Sequence, residues 1–245
     1  MSSKVQVEVE DGILLIGLNR PEKLNALDEE MWITIRETLD RYRSQYIAII
    51  YGKGRAFSAG DDIYMMYNAK DKSDTDHIVF NLIKPLIKSI SNYEMPLIAA
   101  VDGYAFGAGC EMLLLMDLVI ASPRSTFAVP EARIGLIPPL MLSLARDIPG
   151  IRRAIYLTLT GKWLNVEEAR EYGLVDVIDD DPLNKAKELA KKILKIPRET
   201  LIRIKRNVNR YKANLIDDSI LEDLSYLMSI DESKRLMDLF LNKKL

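Results

Sequence analysis

Two runs of the chain place small residues, a sharp turn and an acid in the same order. AFSAGDDIYMM at 56–66 and AFGAGCEMLLLM at 105–116 share Ala-Phe-x-Ala-Gly-x-acid-apolar, so Ala56 to Ile63 aligns with Ala105 to Met112. Small residues let a backbone turn sharply and expose its N–H groups, and a helix beginning just beyond adds the positive end of its dipole. Two such turns can polarise one carbonyl as an oxyanion hole does, worth about 3–4 kcal/mol per donor in acyl chemistry. Glu111 stands at the mouth of the nearly all-apolar run LLLM, an odd place for a carboxylate. A dipole-favoured helix-start acid is the bland explanation; the turn beside it and the repeated unit argue for general acid–base work instead.

Nucleotide motifs do not account for these turns. GKGRAFSAG lacks the G-x-x-x-x-G-K-[ST] spacing of a phosphate loop, and GAGCEM has two of the three dinucleotide glycines with its acid inside the turn. Cys110 has no histidine base near it in sequence and reads as a small buried filler. A single histidine, His77, and no CxxC leave almost nothing from which to build a zinc site, and His77 lies outside every motif.

The elements that must hold the turns follow from pattern. VQVEVEDGILLIGL alternates around Asp11-Gly12, the dipeptide of a type I′ turn, and predicts an opening hairpin. Asp28 can cap a helix whose apolar face is Met31, Trp32, Ile35 and Leu39. YIAIIYG is a short buried strand, a helix is expected over 76–91, and PLIAAVDG is a second buried strand; each strand feeds one of the two turns. LVIAS, STFAV and VDVID read as further strands, and Asn165 with Glu168 forms a capping box. This rhythm is α/β. From about Pro182 the chain reads as helices alone, and RIKRNVNRYK is expected to be a solvated helical face.

Bulk properties narrow the partners. The 245 residues are 48% hydrophobic and 29% charged, with a formal net charge of −2 that gives no reason to expect nucleic acid or an anionic membrane. The N-terminus has no signal-peptide pattern, no apolar run approaches the roughly 18 residues of a membrane span, and the lone cysteine can form no internal disulfide. A cytoplasmic protein is expected.

NRPEKLNAL, GRAFSAGDDI, GYAFGAGCEM, FAVPEARIGL and LTGKWLNVEEAREYGLVDVI, in this order and spacing, resemble the marker segments of the crotonase superfamily, the enoyl-CoA hydratases and isomerases. The resemblance runs from about Val5 to the end of the chain. It implies a spiral of ββα units over 1–185 and a helical trimerisation region over 186–245, with a homotrimer or dimer of trimers as the assembly. It also implies an acyl-CoA substrate, with coenzyme A entering as part of the thioester and no permanent cofactor or metal. By resemblance the oxyanion-hole N–H groups are those of Asp61 and Ala108. Glu111 and Glu131 are the carboxylate pair that adds water across a 2-enoyl-CoA. Lys23, Leu24 and Ala26 flank the nucleotide, Ala59, Asp62 and Ile63 border adenine and pantetheine, and Met66 lines the acyl pocket. Arg20 is either a charge for the phosphates or a structural residue, and Glu131 either a catalytic group or a partner of Arg133.

The chain departs from the family after Glu131. IGLIPPLMLSLARDIPG replaces a Pro-Gly-x-Gly-Gly stretch, and Pro139, which has no N–H, stands where a glycine would help to hold the water. The end at FLNKKL falls short of the usual tail, which weakens the case for a CoA site completed by a neighbour's C-terminus. The resulting expectation is an enoyl-CoA hydratase. The alternatives are an enoyl-CoA isomerase using one glutamate, more distantly a thioester hydrolase, and a non-catalytic binding or assembly module.

Overall fold

The computed structural model describes residues 3–144, 148–213 and 217–244. Strands β1 (Val5–Glu10) and β2 (Ile13–Leu18) form the expected hairpin, in which Glu10 faces Ile13. Asp11 and Gly12 turn it with φ of 49° and 80°, the two positive angles that a type I′ turn demands.

Eight more strands follow: β3 (Ile47–Gly52), β4 (Ala56–Ser58), β5 (Leu97–Val101), β6 (Tyr104–Phe106), β7 (Leu118–Ala121), β8 (Thr126–Ala128), β9 (Leu164–Asn165) and β10 (Val177–Ile178). They divide between a six-stranded sheet ordered β1-β2-β3-β5-β7-β10 and a four-stranded sheet ordered β4-β6-β8-β9. Each of the pairs β3/β4, β5/β6 and β7/β8 puts its first strand in the large sheet and its second in the small one, then continues into a helical turn. Three successive strand-strand-helix units stacked with parallel pairing make a spiral. The small sheet is the part that pattern reading missed: three-residue strands are too short to show alternation.

Two expected helices take other forms. The segment 76–91 becomes an α-turn at Lys72–Asp76, a π-helical stretch at His77–Ile83 and an α-helix at Lys84–Ser91. Pro85 withholds the N–H that would close onto the carbonyl of Asn81, so the wider turn falls just before it. The run after the second glycine turn is one α-turn, Ala108–Glu111, then a 3-10 turn at Met112–Leu115 that hands over to β7.

The C-terminal helices are Pro182–Ile193, Arg198–Ala213, Asp218–Ser229 and Asp231–Leu241. The expected boundary between 185 and 186 falls inside the first of them, which packs on β3, β5 and β7. One apolar core runs from Val5 in β1 to Met237 in the last helix. Within the basic run, Arg203, Arg206 and Arg210 face solvent, whereas Lys205 turns inward and holds Asp117 at 2.7 Å.

Candidate active site

The first glycine turn is built against the segment Arg20–Asp28. The N–H groups of Ala59 and Asp62 donate to the carbonyls of Leu24 and Leu27, and Leu27 N–H donates back to Gly60. Buried Asn25 locks the seam: its Nδ2 donates to the carbonyls of Lys53 (2.9 Å) and Ala56 (2.8 Å), and its Oδ1 accepts from Arg20 N–H. Ser58 Oγ donates to the Asn25 carbonyl and accepts from Gly60 N–H. Lys23, Leu24 and Ala26 are thereby brought alongside Ala59 and Asp62, with Lys23 exposed and the others half-buried. Asn25 and Ser58, which hold this strip, were not among the expected site residues; a polar residue inside each motif was their only signal.

This ladder leaves Asp61 N–H without an acceptor among the described residues. Ala108 opens the helical turn of the second unit, where the first N–H groups have no intrahelical partner. The two turns approach closely because Gly60 has no side chain: at φ 91° its missing Cβ would stand 2.8 Å from the Phe106 carbonyl and 2.9 Å from Ala108 N. Gly107, at φ 53°, similarly leaves room for Glu131, whose Oε1 would lie 3.1 Å from a Cβ there.

Three carboxyl groups converge on these turns. Glu111 is buried, and its Oε1 accepts a 2.8 Å hydrogen bond from Met141 N–H. Pro139 begins the helix Pro139–Leu144, so the free N–H groups of that helix start at Leu140 and Met141, and they point at Glu111. Burial and the charge of Glu131 push Glu111 well above the ordinary carboxylate range, against the pull of those two N–H groups. Both oxygens of Glu131 are sealed from solvent without a hydrogen-bond partner. Burial lifts this carboxyl to about 8, with its own backbone N–H opposing and the Asp61 charge adding a smaller upward push. No ion pair joins Glu131 to Arg133, whose guanidinium donates to the Thr160 carbonyl.

The third group is the side chain of Asp61, whose direction the sequence left open. Its Oδ1 is sealed from solvent and unpartnered. Burial raises it to about 7, the adjacent Trp32 indole pulls the other way, and the Asp62 charge adds a further upward push. Asp61, Trp32, Ala108, Glu111, Pro139 and Leu140 share the lining of a cavity of about 30 Å³ whose remaining walls are aliphatic.

The other residues singled out in the sequence have these surroundings. Met66 is buried in the core and does not line this cavity. Asp62 caps the helix Ile63–Asn68 by accepting from Tyr64 N–H and pairs with Arg20, which also donates to the Ala26 carbonyl; both are structural members of the seam. Cys110 is buried, and burial together with the neighbouring carboxylates pushes its thiol upward, away from thiolate chemistry. His77 is exposed beside Asn81, on a different face. Among the described residues no helix is long and apolar enough to cross a membrane.

Known proteins share this arrangement of chain. Residues 8–244 match the sequence profile described as enoyl-CoA hydratase/isomerase. The chain is 33% identical over 240 residues to a probable enoyl-CoA hydratase of Mycobacterium leprae, covering 94% of this chain and 91% of that one. It is 32% identical over 220 residues to the 1,2-epoxyphenylacetyl-CoA isomerase of Escherichia coli, covering 86% and 84%. The crystal structure of an enoyl-CoA hydratase/isomerase from Mycobacterium paratuberculosis superposes with a TM-score of 0.91 at 26% identity, over 97% of this chain and 98% of the other. With the α/β spiral of crotonase-fold proteins, the chain belongs to the enoyl-CoA hydratase/isomerase family.

Proposed function

We propose that the chain hydrates 2-enoyl-CoA thioesters, with Glu111 and Glu131 as the acid–base pair. The observation that carries this reading is the pair itself: two sealed carboxyls, one with both oxygens unpartnered, beside two glycine turns that approach closely at Gly60. Burial raises both carboxyls, and the charge of Glu131 adds to the rise at Glu111, so the pair holds protons at a pH where ordinary glutamates are ionised and can exchange them with water and substrate. The thioester oxygen accepts from Asp61 N–H and Ala108 N–H, which drains charge from C3. The ionised carboxylate takes a proton from water as the water oxygen bonds to C3. The protonated carboxyl delivers its proton to C2, so that one water is added across the double bond and the pair exchanges roles.

The seam of Lys23, Leu24 and Ala26 against Ala59, Asp62 and Ile63 is the surface we assign to the nucleotide and pantetheine of CoA. Exposed Ile151, Ile155, Tyr156, Leu159 and Trp163, together with the C-terminal helices, support a homotrimer or dimer of trimers. A light-scattering mass equal to one chain contradicts that assembly.

Isomerisation of a 3-enoyl-CoA is the second reading. It is favoured by Met141 N–H, which binds Glu111 directly, while Pro139 offers a water no donor. Purified protein is expected to convert crotonyl-CoA to the 3-hydroxyacyl product. Binding of CoA thioesters with no hydration overturns the hydratase reading, and conversion of a 3-enoyl-CoA without water uptake replaces it with the isomerase.

A further inference from the structure

The last helix reaches across to the segment that follows the first glycine turn. Lys234, half-buried on the helix Asp231–Leu241, donates from Nζ to the carbonyls of Met66 (2.8 Å), Tyr67 (2.8 Å) and Ala69 (2.6 Å). An ammonium has three N–H donors, and here all three go to one end of the helix Ile63–Asn68. A helix end leaves carbonyls unpaired, and glycine in the left-handed region is the usual cap. The chain has Ala69 there, extended at φ −60° and ψ 120°, so a lysine from a distant segment supplies the donors. Burial lowers the pKa of Lys234 against a smaller upward pull from Asp74, and the negative end of the helix dipole favours its charge. The neighbouring residue fixes the last helix on its other side. Ser233 is 1% exposed, its Oγ donates to the Gly135 carbonyl at 2.8 Å, and a Cβ at Gly135 would stand 2.6 Å from that oxygen. Gly135 closes the turn that Glu131 begins. Two adjacent side chains thus hold the segment after Asp61 and the turn after Glu131 at one spacing.

We propose that Lys234 is a positioning residue for coenzyme A: from the last helix it holds the helix Ile63–Asn68 in place, and with it the Asp62–Ile63 wall of the thioester site. This inference rests on the acyl-CoA reading above. A helix of six residues has little stability of its own, because nucleation costs more than one or two turns return, so its two ends decide whether it forms. Asp62 secures the first end by accepting from Tyr64 N–H and pairing with Arg20. Lys234 secures the second, and at about 1.5 Å per residue that end lies about 9 Å from Ile63. Lys234 is outside the lining of the cavity beside Glu111, and Ser233 keeps its own bond to the Glu131 turn when Lys234 is changed. Loss of the ammonium therefore loosens the binding wall and leaves the acid pair where it is.

The test is the affinity of the full chain for butyryl-CoA, a saturated thioester that takes up no water, measured by calorimetry together with amide hydrogen exchange. Lys234→Met is expected to raise Kd about tenfold and to speed exchange over 59–69 by a similar factor, with exchange in the β1–β2 hairpin unchanged. Lys234→Arg, which keeps a cation at the helix end, is expected to recover most of the affinity. Lys205→Met, the same exchange at an ion pair elsewhere, is expected to stay within about twofold of the unaltered Kd. At saturation with crotonyl-CoA, kcat of Lys234→Met should stay within about threefold of the unaltered chain, a split that general loss of structure does not produce. Lys234→Gln, with two donors and no charge, should show a smaller loss of the same kind and decides the matter if Lys234→Met does not fold. Unchanged affinity and exchange in the Lys234 variants overturn the inference, as does an equal loss in Lys205→Met, and either result leaves the hydratase reading standing. Weakened butyryl-CoA binding in a chain that hydrates nothing supports the inference and sinks the hydratase reading. No binding of butyryl-CoA by the unaltered chain overturns both.

Discussion

Met141 N–H donates to Glu111 Oε1 at 2.8 Å across thirty residues of sequence, tying the second glycine turn to the helix that Pro139 begins. A carboxylate that caps a helix start and also faces a cavity has two separable duties. Glu111→Gln keeps an amide oxygen to accept from Met141 but loses the exchangeable proton. It is expected to fold with an unchanged or raised Tm while kcat for hydration falls by about 10² to 10⁴. Loss of activity accompanied by an equal loss of structure, followed by thermal melting, contradicts the assignment.

The carboxyl of Glu131 gives stability a definite pH dependence. Its pKa is raised to about 8 in the fold from an ordinary value of 4.5, so the native state binds the extra proton between those two values. Stability from this group is therefore complete below about pH 4.5 and is lost as pH climbs through 8. Glu131→Gln removes the titration and is expected to be the more stable protein at pH 9. Near pH 4.5 the difference should shrink towards zero in paired denaturant titrations. Hydration by the unaltered chain should also decline above about pH 8, as the pair loses its remaining proton.

Gly60 decides how closely the two turns can approach. An alanine there is strained at φ 91° and strikes the Phe106 carbonyl and Ala108 N, both of them backbone atoms. Gly60→Ala is expected to cost about 2 kcal/mol or more of stability. It should also lower kcat far more than it raises KM, because the turns are pushed apart where charge develops. Kinetics with crotonyl-CoA that match the unaltered chain would remove these turns from the reaction.

Lys205 anchors the C-terminal helices from a distance. It is 3% exposed, bonds both oxygens of Asp117, and shares that carboxylate with Leu97 N–H at the start of β5. Lys205→Met leaves the half-buried Asp117 carboxylate with Leu97 N–H but without its cation, and is expected to cost about 1–3 kcal/mol by urea denaturation. Below its melting temperature the variant should keep the KM of the unaltered chain, since the ion pair lies outside the cavity lining.

The sequence by itself determined whatever rests on short-range stereochemistry. Asp11-Gly12 demanded a hairpin, Asn165 and Glu168 demanded a cap, and the paired Ala-Phe-x-Ala-Gly turns announced a repeated unit with acids at its mouth. Those features follow from φ preferences, caps and periodicity within a few residues. The π-helical stretch before Pro85 was open to the same reasoning, because the missing N–H is visible in the sequence itself. Only the tertiary structure decided which polar atoms lost their water. Asp61 turns its carboxyl inward beside Trp32, Pro139 aims the N–H groups that follow it at Glu111, Arg20 is held by Asp62, and Met66 sinks into the core. Each of these depends on which distant segment lands against the residue, and desolvation belongs to that encounter, because the same side chain is ordinary in water and reactive once sealed.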